Sequence, residues 1–124
     1  MTDSTPAAHS QTVGAAPPST AKQLARLDVR RTPDQRLHNS ELEGLVSLLD
    51  GWQVQGQVLQ RGYSFTDYHA TMAFVNAVAW IAHRGDHHPD LQVGYNRCHV
   101  QWSTHTAGGL TLKDLICAAQ VDEL

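Results

Sequence analysis

Five of the eight histidines in this 124-residue chain fall within one short window, HRGDHHPDLQVGYNRCHVQWSTH. They are His83, His87, His88, His99 and His105. Neutral imidazole binds zinc, copper or iron, and its ordinary pKa near neutrality lets it accept and donate protons. The cluster therefore indicates a metal site, a metal-free site for proton transfer, or a histidine-rich surface.

The spacing of the cluster does not by itself choose among these three interpretations. His83 and His87 are four residues apart, as zinc ligands on a helix are, but Gly85 weakens a helix between them. No Glu follows His83 as it would in an HExxH motif. Pro89 pushes His88 toward extended geometry, so we expect His87 and His88 to point to opposite sides of the chain. Three further histidines are interpreted as surface residues: His9, His38 and His69.

Capping signals predict three helices that frame this cluster. The first begins at Asn39 or Ser40 and ends before the next Asp-Gly pair. The second follows Thr66, and its apolar residues cover most of its circumference. The third follows Thr111, whose spacing to Asp114 is that of a capping box. One side of the second helix should face a sheet, and the other could face a neighbouring subunit.

Two pairs of strands are predicted between these helices. The stretch WQVQGQVLQRGYSF indicates two short strands joined at Gly56, and DLQVGYN with RCHVQWSTH indicates two more that turn near Tyr95, Asn96 and Arg97. The order α-β-β-α-β-β-α predicts an α+β fold, a four-stranded antiparallel sheet with three helices on one face. A sheet this small leaves edges to protect, so we expect an oligomer.

Composition limits the remaining alternatives. The length allows one domain, and we predict a disordered or extended tail with a basic linker over residues 1–38, followed by a folded domain over 39–124. The net charge of −3 does not favour a nucleic-acid or membrane partner. Two cysteines without metal-ligand spacing, and no apolar run long enough to span a bilayer, lead us to expect a cytoplasmic protein.

The histidine window resembles the pterin-4a-carbinolamine dehydratases. The family pattern is matched at its characteristic gaps by His83, the His87-His88-Pro89 run, Tyr95, His105 and Asp114. The Gly51-Trp52 pair and the run SFTDYHATMAFVNAVA are also similar to the family, and the resemblance extends from about Ser40 to Val121.

The resemblance implies a hydro-lyase that removes water from 4a-hydroxytetrahydropterin to give quinonoid dihydropterin. That step recycles the pterin used by aromatic amino-acid hydroxylases. The resemblance also implies three helices on a four-stranded sheet, assembly as dimers or tetramers, and no metal or other cofactor. Some family members instead act as binding proteins, either as a transcriptional coactivator or as a Rubisco assembly factor of carboxysomes, and this is the alternative function.

Roles for individual residues also follow from the resemblance. His87, His88 and His105 are expected to line the pterin pocket, with His88 and His105 as the acid and base and His87 as the orienting group. Three further residues are expected to contact the pterin: Trp52 through its ring, and Ser103 and Thr104 through their backbone. His83, Pro89, Tyr95 and Asp114 are expected to support the site. Many relatives carry Glu at the position of His83, and the N-terminal extension is a possible binding segment for a protein partner.

Overall fold

The computed structural model describes residues 16–124, so residues 1–15 of the predicted tail lie outside the described residues. The secondary structure elements follow in this order: α1 (Ala21–Ala25), a 3₁₀ turn (Val29–Arg31), α2 (Asn39–Val46), β1 (Gln53–Gln55), β2 (Val58–Ser64), α3 (Tyr68–Gly85), β3 (Asp90–Val93), β4 (Arg97–Trp102), a second 3₁₀ turn (His105–Ala107) and α4 (Leu112–Asp122). The predicted α+β fold is confirmed.

The four strands form one antiparallel sheet in the order β1-β2-β4-β3. Gly56 has a positive φ of 62° in the turn between β1 and β2, a conformation that glycine adopts without strain. In the centre of the sheet Leu59 pairs with Trp102 and Gln60 pairs with Gln101. Because side chains alternate along a strand, apolar residues cover one face and polar residues such as Gln60 and Gln101 cover the other.

Helices α3 and α4 pack on the apolar face of the sheet and form the core with it. The largest fully buried apolar side chains are Trp102, Leu24, Leu59, Leu115, Ile116, Val78, Val100 and Val121. Helix α3 buries one face in this core, whereas its opposite face leaves Trp80 60% exposed. The predicted second contact of α3 with a neighbouring subunit therefore stays a prediction.

The structure differs from the prediction of an extended linker in residues 20–37, which we call the N-terminal strap. Thr20 caps α1 by accepting from the Gln23 N–H, and Leu24 and Val29 are buried in the core. Two large apolar side chains at this spacing are enough to hold a single turn of helix on α4, because tertiary packing stabilises helices that are too short to form alone. Isolated basic residues around them masked this apolar pair in the sequence.

None of the helices within residues 16–124 combines the length and the hydrophobicity needed to cross a membrane.

Candidate active site

His87 lies directly after the C-terminal end of α3, and that end determines its position. Asp86 adopts the left-handed conformation with φ of 52°, its N–H donates to His83 O at 3.3 Å, and the His87 N–H donates to Ala82 O at 3.1 Å. This pair of bonds is a Schellman motif, which closes a helix and satisfies carbonyls that the helix leaves free. The backbone of His87 is therefore bonded to α3, although the residue lies outside the helix.

Asp114 is buried completely in the first turn of α4. Its Oδ2 accepts from the Thr111 N–H at 3.0 Å, as the predicted capping box requires, and from Thr104 Oγ1 at 2.7 Å. The hydroxyls of Thr104 and Thr111 are themselves 3.1 Å apart. A carboxylate at a helix N-terminus is also stabilised by the helix dipole, so its burial is compensated from several sides.

His87 and Asp114 meet in the structure, joining the ends of two helices. His87 Nε2 lies 2.6 Å from Asp114 Oδ1, and the imidazole stacks on the buried ring of Trp102 with centroids 5.7 Å apart and an interplanar angle of 10°. An ionised carboxylate only accepts hydrogen bonds, so this contact requires a proton on Nε2 and leaves Nδ1 as the other ring nitrogen. An imidazole held in this way is oriented for proton transfer or substrate binding.

The other two predicted catalytic histidines, His88 and His105, belong to the same histidine window of the sequence and are exposed. His88 follows His87 at the start of the segment that leads through the half-buried Pro89 into β3. His105 follows Thr104, and its Nε2 lies 3.4 Å from Ser103 Oγ. Because the Thr104 side chain is bonded to Asp114, the backbone that carries His105 is joined to the same network as His87.

Three predicted residues make their contacts elsewhere. The ring of His83 lies 6.0 Å from the ring of Trp80 on the exposed face of α3. Tyr95 is exposed and stacks on Tyr68 at 6.5 Å. Trp52 is only 4% exposed, and its indole N–H donates to Asp122 Oδ2 at 2.9 Å, at the opposite end of α4 from Asp114.

Sequence reasoning underestimated two residues at this site. The capping-box spacing favoured a purely structural role for Asp114, and the structure shows that it caps α4 with one carboxylate oxygen and bonds His87 with the other. Trp102 is fully buried in the core, and its ring also supports the imidazole. The one local signal was Asp in place of the commoner Glu at the capping-box position. A shorter carboxylate reaches less far back over the helix end.

Within residues 16–124, no three His, Cys, Asp or Glu side chains are grouped so that they could hold a metal ion.

Comparison with known proteins identifies the family. A family model described as pterin 4 alpha carbinolamine dehydratase matches residues 35–124. A relative from Nitrosospira multiformis, provisionally named a pterin-4-alpha-carbinolamine dehydratase, is 53% identical over 88 residues, which cover 71% of this chain and 78% of the relative. A relative from Stenotrophomonas maltophilia with the same provisional name is 51% identical over 102 residues, covering 81% of this chain and 88% of the relative.

Two solved structures are similar to this one. A transcriptional coactivator/pterin dehydratase from Brucella melitensis has a TM-score of 0.68 and 34% identity, covering 72% of this chain and 97% of the neighbour. A pterin dehydratase-like protein described as a RuBisCO assembly factor in the alpha-carboxysome has a TM-score of 0.50 and 25% identity, covering 58% and 83%. The resemblance drawn from the histidine window is confirmed, and the chain belongs to the pterin-4a-carbinolamine dehydratase family.

Proposed function

We propose that this protein dehydrates 4a-hydroxytetrahydropterin to quinonoid dihydropterin, as a hydro-lyase that recycles the pterin of aromatic amino-acid hydroxylases. The observation that carries the proposal is the 2.6 Å contact between His87 Nε2 and the buried Asp114. Membership of the family, and relatives that carry the dehydratase name, support the same reaction.

The reaction needs two proton movements, and imidazole suits both. The 4a hydroxyl leaves as water when an acid protonates its oxygen, and a base removes the proton of N5 as the new double bond forms. Each step, when catalysed by a positioned group, contributes roughly 10²- to 10⁴-fold to the rate. No metal or other cofactor enters this scheme.

We assign the proton transfers to His88 and His105 and the binding of the pterin to His87. Exposure of His88 and His105 favours this assignment, because groups that exchange protons with substrate and water need access to both. Asp114 favours His87 as the binding group, since its contact with Nε2 orients the ring and leaves Nδ1 for the pterin. The half-buried Ser103 and the backbone of Thr104 are proposed to bond the amide-like edge of the pterin.

Trp52 remains a proposed neighbour of the pterin ring, but its surroundings favour a role in the core. Its indole is almost fully buried, and its N–H is already bonded to Asp122.

The proposal is tested by stopped-flow measurement of dehydration of 4a-hydroxytetrahydropterin generated in the instrument. We expect the His88→Ala and His105→Ala variants to lose about 10²-fold or more in kcat, as removal of an acid or base does. We expect His87→Ala chiefly to raise KM. The exposed His69→Ala variant on α3 is the matched control and should match wild type. Unchanged rates for both His88→Ala and His105→Ala would refute the assignment, and absence of turnover by the folded wild type would refute the activity.

A second candidate function is that of a binding protein on the same scaffold. It is favoured by the two structural neighbours, which are described as a coactivator/pterin dehydratase and as a RuBisCO assembly factor. The presence of His83, where many relatives carry Glu, also favours it. A folded wild-type protein without turnover would support this candidate.

We further propose a homodimer or homotetramer, for which light scattering of the purified protein gives the mass directly.

A further inference from the structure

The N-terminal strap, residues 20–37, contacts both chain segments that meet at the candidate active site. Most of it precedes residue 35, where the match to the family model begins. Its backbone is bonded to α4, because Gln120 Nε2 donates to Ala25 O at 3.0 Å. The strap is therefore a packed part of this molecule, most of which lies before the matched family model.

One set of strap contacts lies at the C-terminal end of α3, where the chain leads into His87. Arg30 Nε donates to Arg84 O at 2.9 Å and so satisfies one of the last carbonyls of the helix. Val29 packs so closely on Gly85 that a Cβ added to this glycine would lie 3.1 Å from Val29 Cβ. The last turn of α3, to which the His87 backbone is bonded, is thus held from outside the helix.

A second set of strap contacts lies at the N-terminal end of α4, around Asp114. The Leu37 N–H donates to Leu110 O at 2.9 Å, and Arg36 forms a backbone bridge with Thr111. Asp34 forms an ion pair with Lys113 at 2.8 Å. These contacts hold the loop and the cap residue whose N–H donates to Asp114.

We infer that the N-terminal strap is a positioning element for the His87–Asp114 pair, and that Arg30 is its positioning residue on the histidine side. The two partners belong to segments 27 residues apart, and the strap bonds to the backbone beside each of them. Catalytic efficiency is sensitive to such placement, because a displacement of about 1 Å can cost up to 10²-fold in rate. The expected effect on the rate of dehydration rests on the proposed function, whereas the expected effect on the position of the His87 ring does not.

Arg30→Ala tests the inference, with Arg31→Ala as its matched control. The two arginines are adjacent, both are exposed, and their replacement changes the charge equally. Arg31 differs in that its side chain is 89% exposed and pairs with Asp28 at 3.5 Å rather than with the α3 end. Arg30→Lys, which keeps the charge and one donor, is the conservative variant that should recover part of any loss.

Two readouts are needed, and one of them does not depend on activity. In stopped-flow dehydration, Arg30→Ala should raise KM about 10-fold with kcat little changed, because His87, the proposed pterin-binding group, is displaced while the acid and base histidines are not. In ring ¹H–¹⁵N correlation spectra, the His87 signals should shift away from the pattern of a ring protonated at Nε2. Arg31→Ala should match wild type in both, and unfolding curves should show that every variant is folded.

The possible failures are distinguishable. If Arg30→Ala leaves both KM and the His87 ring signals as they are in Arg31→Ala, the strap does not position the pair and the inference is overturned. If wild type does not dehydrate the pterin, the proposed function fails, and the ring spectra alone decide whether the strap positions His87. A loss of stability in Arg30→Ala without a change in the ring signals would also overturn the inference, because it would show a merely structural role.

Discussion

Helix α4 carries a hydrogen-bonded carboxylate at each end, and the two ends are built from different partners. Asp114 and Asp122 are eight residues apart, about 12 Å along the axis. We call the first group the histidine end and the second the arginine end. The histidine end comprises Asp114, His87, Thr104 and Thr111, and the arginine end comprises Asp122, Trp52, Arg61 and Tyr63.

The arginine end is centred on an ion pair between Arg61 and Asp122. Arg61 Nη1 donates to Asp122 Oδ1 at 3.0 Å and to Asp50 O at 2.7 Å, and its guanidinium lies over the Tyr63 ring at 4.7 Å. The Tyr63 hydroxyl donates to the same carboxylate oxygen, and the Trp52 N–H donates to the other. This group ties β2 and the chain before β1 to the end of α4.

The helix dipole explains the difference between the two ends. At the N-terminus of α4 the dipole and the free N–H groups stabilise Asp114, so its remaining partner can be the imidazole of a histidine. At the C-terminus the dipole opposes a carboxylate, so Asp122 needs a guanidinium that stays charged. An imidazole can therefore be the partner where the helix itself stabilises the anion, and the chemistry that we propose lies at that end.

The strongest test of this comparison replaces each carboxylate by its amide. Asp114→Asn should lower kcat/KM for pterin dehydration by about 10²-fold, chiefly through a higher KM, because an amide cannot accept from His87, Thr104 and the cap N–H together. Asp122→Asn should leave kcat/KM unchanged and reduce the free energy of unfolding by about 1–3 kcal/mol, since an amide keeps one acceptor oxygen and cannot accept from both Arg61 and Trp52 as the carboxylate does. Stopped-flow rates and urea unfolding of both variants measure the difference. Equal loss of kcat/KM in the two variants would remove the functional distinction between the ends.

A finer test removes one hydroxyl from each end. Thr104→Val and Tyr63→Phe each delete one donor to a carboxylate while keeping most of the side-chain volume. Each should cost about 1 kcal/mol of stability, the usual net value of one hydrogen bond. We expect Thr104→Val alone to raise KM as well, because Asp114 then orients His87 less firmly. A rise in KM of the same size in Tyr63→Phe would contradict this expectation.

A further test concerns stability at alkaline pH, where no change in the rate of dehydration is involved. Burial raises the pKa of the Cys117 thiol to about 12, and the neighbouring Asp114 carboxylate adds to the shift. Burial and the bonded Asp122 likewise raise the pKa of Tyr63 above its ordinary value. Because the folded state favours the protonated thiol, the contribution of Cys117 is complete below pH 9 and is lost as the pH rises toward 12.

Cys117→Ala should therefore show a shallower decline of the free energy of unfolding between pH 9 and pH 11 than wild type. Urea unfolding at intervals of pH measures the slope, and the absolute stability of the variant does not enter the comparison. Parallel slopes for the two proteins would show that the Cys117 thiol does not contribute to the pH dependence of stability.

Most helices and strands could be predicted from the sequence because turns and helix caps depend on residues that are close together in the chain. The strand pair around Gly56 and the capping box from Thr111 to Asp114 depend on residues within a few positions of one another, and both are confirmed. The long helix is also confirmed, but its cap is Asp67, which accepts from the Ala70 N–H at 2.8 Å, and not Thr66. Neighbouring Thr and Asp are both good caps, so the sequence could not choose between them.

The strap was missed for a related reason. Leu24 and Val29 are isolated apolar residues in a basic segment, and periodicity needs longer runs to be recognised. Their burial depends on α4, almost a hundred residues further along the chain, which brings the carboxamide of Gln120 to the Ala25 carbonyl. Contacts of that kind are visible only when the chain is folded.

The sequence by itself determined the family and the α+β fold, because spacing along the chain records caps, strands and the histidine pattern directly, and it supplied the residues of the site that we propose. Only the tertiary structure decided which of those residues touch. It joined His87 to Asp114 and placed Trp102 beneath the ring, and it directed Trp52 to the other end of α4. The physical reason is that hydrogen bonds and ring stacking act over a few ångströms in space, whereas these partners are separated by 15 to 70 residues of chain.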